Sequence, residues 1–517
     1  MRTLSPSKFN RNTFSVKIQH FKATREILTH AFSVLGFLAF GIYQFQMLYF
    51  REWGDESETI VGARMISSGQ ILYSEIFNHH GPYTFVLALA LESLGNFSVV
   101  AHRVPIMILQ WIFIISVYFS PNLKRRDVKL LCAMSVAGAL SLGMIVTLLN
   151  TNTYQVTVGL LLGIALVQFV IPAIFTPSKL NLVSSTVGFF ILASLSFFAV
   201  WYLPTALMLM AVSLRRVYSS AAVLGTALAA FFGVGFIVVF GSINGYLVDH
   251  FYVNAIVMSS YQRDETWLGP LTPRGIFDLM VLLVGPCSIM VSGFLLGKRM
   301  EFSTSHWRLV VLMLSLLPLL YRGISFQSIP FYVSAVALLV IGLMFIERSS
   351  LPQIQVLRGS IQPTVLFLSF CFIGAAVAIL GVVEIRSYFN SRSIPAKTLF
   401  SELSDELTRP GDRVIAYPFE NYEYIASNRL PASGDFFLLP WQEDLRLKAF
   451  PNSDISACDD ISDYKPKIML LSREAPWERY PLASYAGCIQ KVADRDYVRF
   501  QDTDIYIRND LQTRLRD

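Results

Sequence analysis

Between Glu92 and Asp249 the chain carries a single acidic residue, Asp127. So long a stretch with one carboxylate is a poor outer face for a water-soluble fold. It suits a hydrocarbon solvent, where ionised groups are costly and rare. Apolar runs near the spanning length of roughly 17–25 residues recur at 28–50, 99–119, 129–149, 155–175, 183–200, 221–240, 276–297, 307–321, 329–346 and 363–385. Shorter apolar pieces lie at 83–97 and 203–214. Charged residues make up 15% of the 517 positions, against about 25% in soluble chains. The pattern predicts a polytopic α-helical membrane protein with about 11–13 transmembrane helices.

Charge is unevenly spread. Residues 387–517 hold 21 of the 36 acids and only 17 of the 42 bases. The bases of the remainder cluster in connectors: Lys124-Arg125-Arg126, Lys179, Arg215-Arg216, Lys298-Arg299, and Arg348 through Arg358. Such connectors face the cytoplasm, so the net charge of +6 calls for no nucleic acid. Lys8, Arg11, Lys17, Lys22 and Arg25 precede the first apolar run, which is too long for a signal peptide. The expected organisation is a cytoplasmic tail over 1–27 and a transmembrane domain over 28–386. Extracytoplasmic loops fall near 51–82 and 241–275, and a soluble extracytoplasmic domain covers 387–517. One stretch resists this count. Two apolar pieces between Tyr83 and Ser120 leave the Lys124 triplet on the wrong side. Either 83–97 is a partial segment or the triplet faces outward.

In the terminal domain, residues 413–417 and 467–471 read as buried strands. Residues 497–500 and 504–508 flank a Gln501-Asp502-Thr503 turn and read as a hairpin. Residues 399–407 read as a helix, giving a small α/β domain. Cys132, Cys287 and Cys371 sit in apolar helices as packing residues. Cys458 and Cys488 are a disulfide candidate if this domain lies in an oxidising compartment; the alternative is two thiols.

Just past the first apolar run comes an acidic cluster, Trp53-Gly54-Asp55-Glu56-Ser57-Glu58. A carboxylate outside a membrane helix can act as a general base on an acceptor hydroxyl or amine. Several together can hold a divalent cation through oxygen. An interfacial hydrophilic loop is the plain alternative.

The wider stretch continues through Gly69-Gln70-Ile71-Leu72-Tyr73, then Phe77, then His79-His80-Gly81-Pro82, and later Arg103-Val104-Pro105. Residues 51–105 resemble the first extracytoplasmic loop of the GT-C glycosyltransferases, in the family 39 branch of protein O-mannosyltransferases and lipid A aminoarabinose transferases. That pattern has an Asp-Glu pair after helix one, an amphipathic helix, a Gly-x-x-x-Tyr step, an aromatic, and a His- or Lys-containing segment ending in Pro. The resemblance implies a GT-C fold, a polyprenyl-phosphate-linked sugar donor and an inverting transfer. Asp55 would be the catalytic base, and Glu56 would orient the site or share a metal with it. Tyr73, His80 and Arg103 fall at matched positions and are substrate-binding candidates.

Arg322 ends a helix where members of the family often carry a basic residue for the donor phosphate. The chain then reads Phe326-Gln327-Ser328 in place of an aromatic-His-Tyr step. Arg263, with Asp264 and Glu265, would close over the site from the 241–275 loop or form a solvated charge run. Glu58 lies outside the matched pair; it is expected on a solvated helix face, with substrate binding as the alternative. Some GT-C enzymes place a second acid in a loop comparable to that of Asn150, Asn152 and Tyr154, and this chain has none there. A divalent metal is therefore left open, with Asp55 and Glu56 as its ligands. The acceptor would be a lipid, glycan or protein, and the setting a bilayer, with the bacterial inner membrane expected by analogy. Phosphate-binding Gly-rich loops, His-Glu-x-x-His and Cys-x-x-Cys are absent from the sequence. The competing reading is a transporter or flippase of a lipid-linked substrate, which predicts ionisable residues well inside the helices.

Overall fold

A computed structural model describes residues 31, 33–50, 52–94, 97–120, 126–147, 151–261, 306–320, 326–348, 394–395, 397–447, 456–476 and 479–515. The chain begins with helices α1 (Ser33–Met47), α2 (Gly54–Ser67), α3 (Pro82–Ser93) and α4 (Val99–Tyr118). Among the described residues three helices are long and apolar enough to cross a membrane: Val99–Tyr118, Tyr154–Phe175 and Arg216–Phe240. Shorter apolar helices accompany them, among them Leu182–Phe198 and Ile329–Leu338. They share one core that buries Phe113, Leu160, Phe169, Phe189, Leu312 and Val333. The outer face of the Arg216–Phe240 helix leaves Val223, Phe231 and Val239 about 70% exposed, an arrangement costly in water and free of cost in lipid. The apolar runs 276–297 and 363–385 lie outside the described residues.

One open alternative narrows and one expectation changes here. The 83–97 piece is a 12-residue helix, α3. At about 1.5 Å per residue it falls well short of a hydrocarbon core, so it is a partial segment. The stretch expected as a polar loop from 241 is helical over 243–261. Gly245, Asp249, Val253 and Val257 are buried at intervals of four, a helical spacing that the interspersed polar residues concealed.

The terminal part is a five-stranded sheet in the order β2-β1-β3-β5-β4. Its strands are β1 (Arg413–Tyr417), β2 (Leu430–Pro431), β3 (Ile468–Leu471), β4 (Tyr497–Arg499) and β5 (Ile505–Arg508). β1 runs parallel to both β2 and β3, and β4–β5 form the antiparallel hairpin. The helix Leu399–Leu407 is also present, opened by a Thr398–Ser401 capping box. The two-residue β2 and the helices around it carry too little periodicity to be read from sequence.

Cys458 and Cys488 form a disulfide with Cα atoms 6.0 Å apart, closing a 30-residue separation. A loop of that size is worth roughly 3–4 kcal/mol. Cys458→Ser is expected to lower stability by about that amount, read as a fall in the unfolding midpoint that reductant reproduces in the wild type.

A second core joins the two parts of the molecule. It combines Ile60, Val61 and Met65 of α2, and Phe77, with Val414, Phe436 and Phe437 of the terminal domain. Phe77 N–H donates to Gly434 O at 3.2 Å, and Ile394 N–H to Tyr49 O at 3.0 Å. The helix Tyr422–Ser427 and β2 pack on α2. Ten of the 14 residues of α2 are consequently buried. The amphipathic helix implied by the resemblance is therefore covered on both sides.

Candidate active site

The site is built where α1 ends and α2 begins. The last carbonyls of a helix have no partner inside it. Here Arg103 of α4 supplies one: Nη1 donates to Met47 O at 3.0 Å, Leu48 O at 3.2 Å and Phe50 O at 2.5 Å. The same guanidinium pairs with Glu56 through two bonds, Nε–Oε1 at 2.8 Å and Nη2–Oε2 at 2.5 Å. Glu56 Oε1 also accepts the Asn152 N–H at 2.8 Å. Both charges are buried, Arg103 at 1% and Glu56 at 0% exposure. From Asn152 the network continues to His102 Nδ1 at 3.3 Å, from His102 to Glu92 at 3.5 Å, and from Glu92 to Arg64 at 2.7 Å. Glu56, expected to share a metal with Asp55, thus has its carboxylate spent on Arg103 and a backbone amide. Arg103, expected to bind substrate, is sealed in the same clasp.

Asp55 stands one residue earlier, in the first turn of α2. With Trp53 and Gly54 it lines a cavity of about 260 Å³, closed on the far side by Pro418, Phe419, Glu420, Glu474, Ala475 and Pro476. These residues follow β1 and β3. The cavity therefore sits at the carboxyl ends of two adjacent parallel strands, where the order 2-1-3 reverses direction; ligands of open α/β sheets bind at such points. A Cβ on Gly54 would lie 2.1 Å from the Phe419 ring, so the close approach of α2 to this wall needs glycine. The Asp55 carboxyl is pushed up to about 7, first by loss of water and then by the Glu58 and Glu52 charges, with His80 opposing. A larger cavity of about 590 Å³ lies on the flank of α1, lined by Val34, Phe37, Ile42 and Trp111 among others. It is almost wholly apolar and offers no group for chemistry.

Below Asp55 lies a second group. Glu58 is 1% exposed, which overturns its placement on a solvated face; its partners come from the 77–80 turn. Its Oε1 accepts from Asn78 Nδ2 at 2.7 Å and lies 3.2 Å from His80 Nδ1. Asn78 Oδ1 in turn accepts the His80 N–H at 2.9 Å. Tyr73, expected to touch substrate, donates its hydroxyl to His80 O at 2.7 Å and is 2% exposed. It adopts a left-handed φ of 64°, uncommon for a bulky side chain and held by the Tyr73 N–H to Ile76 O bond at 2.9 Å. His79 O accepts from Asn254 Nδ2 at 2.8 Å and contacts His250 Nδ1 at 2.9 Å. Burial drives the His250 imidazole down to about 4. Desolvation, with Asp435 nearby, holds the Asp249 carboxyl well above its usual range.

The structure thus divides the predicted residues into an Asp55 cavity, a Glu56–Arg103 clasp, and a Glu58–His80 group braced by Tyr73. Arg263 and Arg322 lie outside the described residues. Sequence reasoning singled out neither Asn78 nor the cavity residues Phe419, Glu420 and Glu474. The last three were within reach, because they follow two strands that the sequence did reveal.

No family model matches the chain, and no curated protein matches it. Solved structures of the oligosaccharyltransferase of Archaeoglobus fulgidus do. The apo crystal structure aligns over 84% of this chain and 69% of its own, with TM-score 0.42 and 11% identity. The complex of the archaeal enzyme with an inhibitory peptide and a dolichol-phosphate aligns over 90% and 72%, with TM-score 0.44 and 12% identity. A likeness at this level assigns no role to any residue of this chain.

Proposed function

We propose that the chain is a membrane glycosyltransferase that moves a sugar from a polyprenyl-phosphate donor to an extracytoplasmic acceptor with inversion. The observation that carries this reading is the half-buried carboxyl of Asp55 on the wall of the 260 Å³ cavity. In this reading Asp55 takes the proton of the acceptor hydroxyl or amine. The acceptor atom attacks the anomeric carbon from one face, and the carbon–oxygen bond to phosphate breaks on the other. Polyprenyl phosphate leaves with the bonding pair.

Three carboxylates, Asp55, Glu420 and Glu474, line the cavity, and none of its residues is basic. A phosphate would be repelled there, so the cavity suits the acceptor. Trp53 and Phe419 offer it aromatic faces, and the carboxylates offer hydrogen-bond acceptors for hydroxyl groups. The donor phosphate belongs on another side of Asp55, with Arg263 and Arg322 as its proposed partners. Glu56, Arg103 and Tyr73 act as positioning residues.

The topology supports the same reading. In this reading a partial α3 followed by a full-length α4 would put Lys124-Arg125-Arg126 on the cytoplasmic side, with residues 51–82 and 387–517 proposed outside. The Cys458–Cys488 bridge suits an oxidising compartment. The transporter reading gains nothing from Glu92, the acid within an apolar run, since it is paired with Arg64 and His102.

Reconstitution into liposomes with a panel of radiolabelled polyprenyl-phosphate hexoses and pentoses tests the reading. The expected result is release of polyprenyl phosphate with label passed to a cell-envelope acceptor. Label crossing the bilayer with the lipid-linked sugar intact would overturn it in favour of transport.

A further inference from the structure

We propose that Glu58, His79 and His80 form a binding site for one divalent transition-metal ion, with Zn²⁺ the fitting member of the class. One donor atom from each of these side chains lies within 4.8 Å of the other two. Among the described residues this is the group of His, Cys, Asp and Glu side chains that meets such a spacing. Two ligands about 2.0 Å from a tetrahedral centre stand roughly 3.3 Å apart. Glu58 Oε1 and His80 Nδ1 already stand 3.2 Å apart. The remaining donor, of His79, lies within 4.8 Å of both, a distance that a rotation of the histidine side chain can shorten.

The donor set selects the class. Two imidazole nitrogens and one carboxylate oxygen suit Zn²⁺, Mn²⁺, Fe²⁺ or Co²⁺, whereas Ca²⁺ and Mg²⁺ take oxygen ligands. The surroundings resemble those of a built site. Metal ligands are normally oriented by hydrogen bonds from a surrounding shell. Asn78 bonds both Glu58 and the His80 backbone. Tyr73 fixes His80 O, and Asn254 fixes His79 O. Gly81 closes the turn against the end of the Leu182–Phe198 helix, where an added Cβ would lie 2.1 Å from Phe197 O. Three protein ligands leave at least one position for an exogenous oxygen. Glu58 sits one helical turn after Asp55 on α2, so an ion held there would lie beside the cavity. This differs from the Asp55–Glu56 pair as ligands, because Glu56 is committed to Arg103.

The test needs no turnover. The full-length protein in detergent, stripped with chelator, is dialysed against Zn²⁺ and the bound metal counted by mass spectrometry. About one ion per chain is expected, with a Zn²⁺-dependent rise in unfolding temperature. His79→Ala and Glu58→Gln should each weaken binding at least tenfold, and Asn78→Ala by roughly 10–100-fold. His306→Ala should leave binding unchanged. His79 is the least buried of the three ligands, so His79→Ala carries the result if the Glu58 variant unfolds. No retained Zn²⁺ in the wild type, or equal retention in His79→Ala, overturns the site. Zn²⁺ binding without sugar transfer would remove the transfer reading and leave this site standing; transfer without Zn²⁺ binding would do the reverse.

Discussion

Asp55→Asn is expected to lower the turnover of sugar transfer by roughly 10²–10⁴-fold, the usual worth of a positioned general base. The substitution keeps the size of the side chain, so yield and elution in detergent should not change. The pH profile gives an independent check. A base must be ionised to work, and this carboxyl is pushed up to about 7. Transfer should therefore rise with pH through about 7 and level off above it.

The same shift predicts a stability effect of opposite sign. The folded chain keeps a proton that the unfolded chain loses near 3.8. Stability therefore falls as pH rises from about 3.8 to about 7 and is flat above. Asp55→Asn removes that slope. The variant should outlast the wild type in thermal unfolding at pH 8 and show no such advantage at pH 4. Full transfer activity in Asp55→Asn would remove Asp55 as the base. An activity profile flat across neutral pH would do the same.

Arg103→Ala should cost about 3–5 kcal/mol, the penalty for leaving a buried charge unpaired. Here the loss is compounded, because Arg103 also satisfies Met47 O, Leu48 O and Phe50 O. The variant is expected to be recovered poorly and to unfold at a much lower temperature. The double variant Glu56→Met with Arg103→Met should recover part of that loss, since a buried pair replaced by apolar groups is often near neutral. A positioning role further predicts that Arg103→Lys, where folded, retains the pH midpoint of transfer while losing turnover. If Arg103→Ala unfolds like the wild type, the clasp does not hold the site together.

Some of this was legible because the signals were local. The strands β1 and β3 are apolar runs buried along nearly their whole length, and β5 of the hairpin alternates buried and half-buried positions after a polar turn. Asp55 stood out because it begins a helix directly after an apolar run. Glu58 was misjudged for the opposite reason. Its partners are Asn78 and His80, some twenty residues downstream in a separate turn, and nothing in the period of α2 records them. The helical stretch 243–261 was missed because its polar residues face inward onto the 77–80 turn, reversing the pattern of a surface helix.

The sequence by itself determined the apolar helices, the small terminal sheet and the acid at the head of α2, since each follows from composition and period along a few adjacent residues. Only the tertiary structure decided what each acid does. Asp55, Glu56 and Glu58 fall within four consecutive positions, yet one lines a cavity, one neutralises a buried arginine, and one meets two histidines. On a helix Glu56 points away from Asp55 while Glu58 lies one turn further along a similar face, and the partners that meet them come from α4, from the turn before α3 and from the ends of β1 and β3.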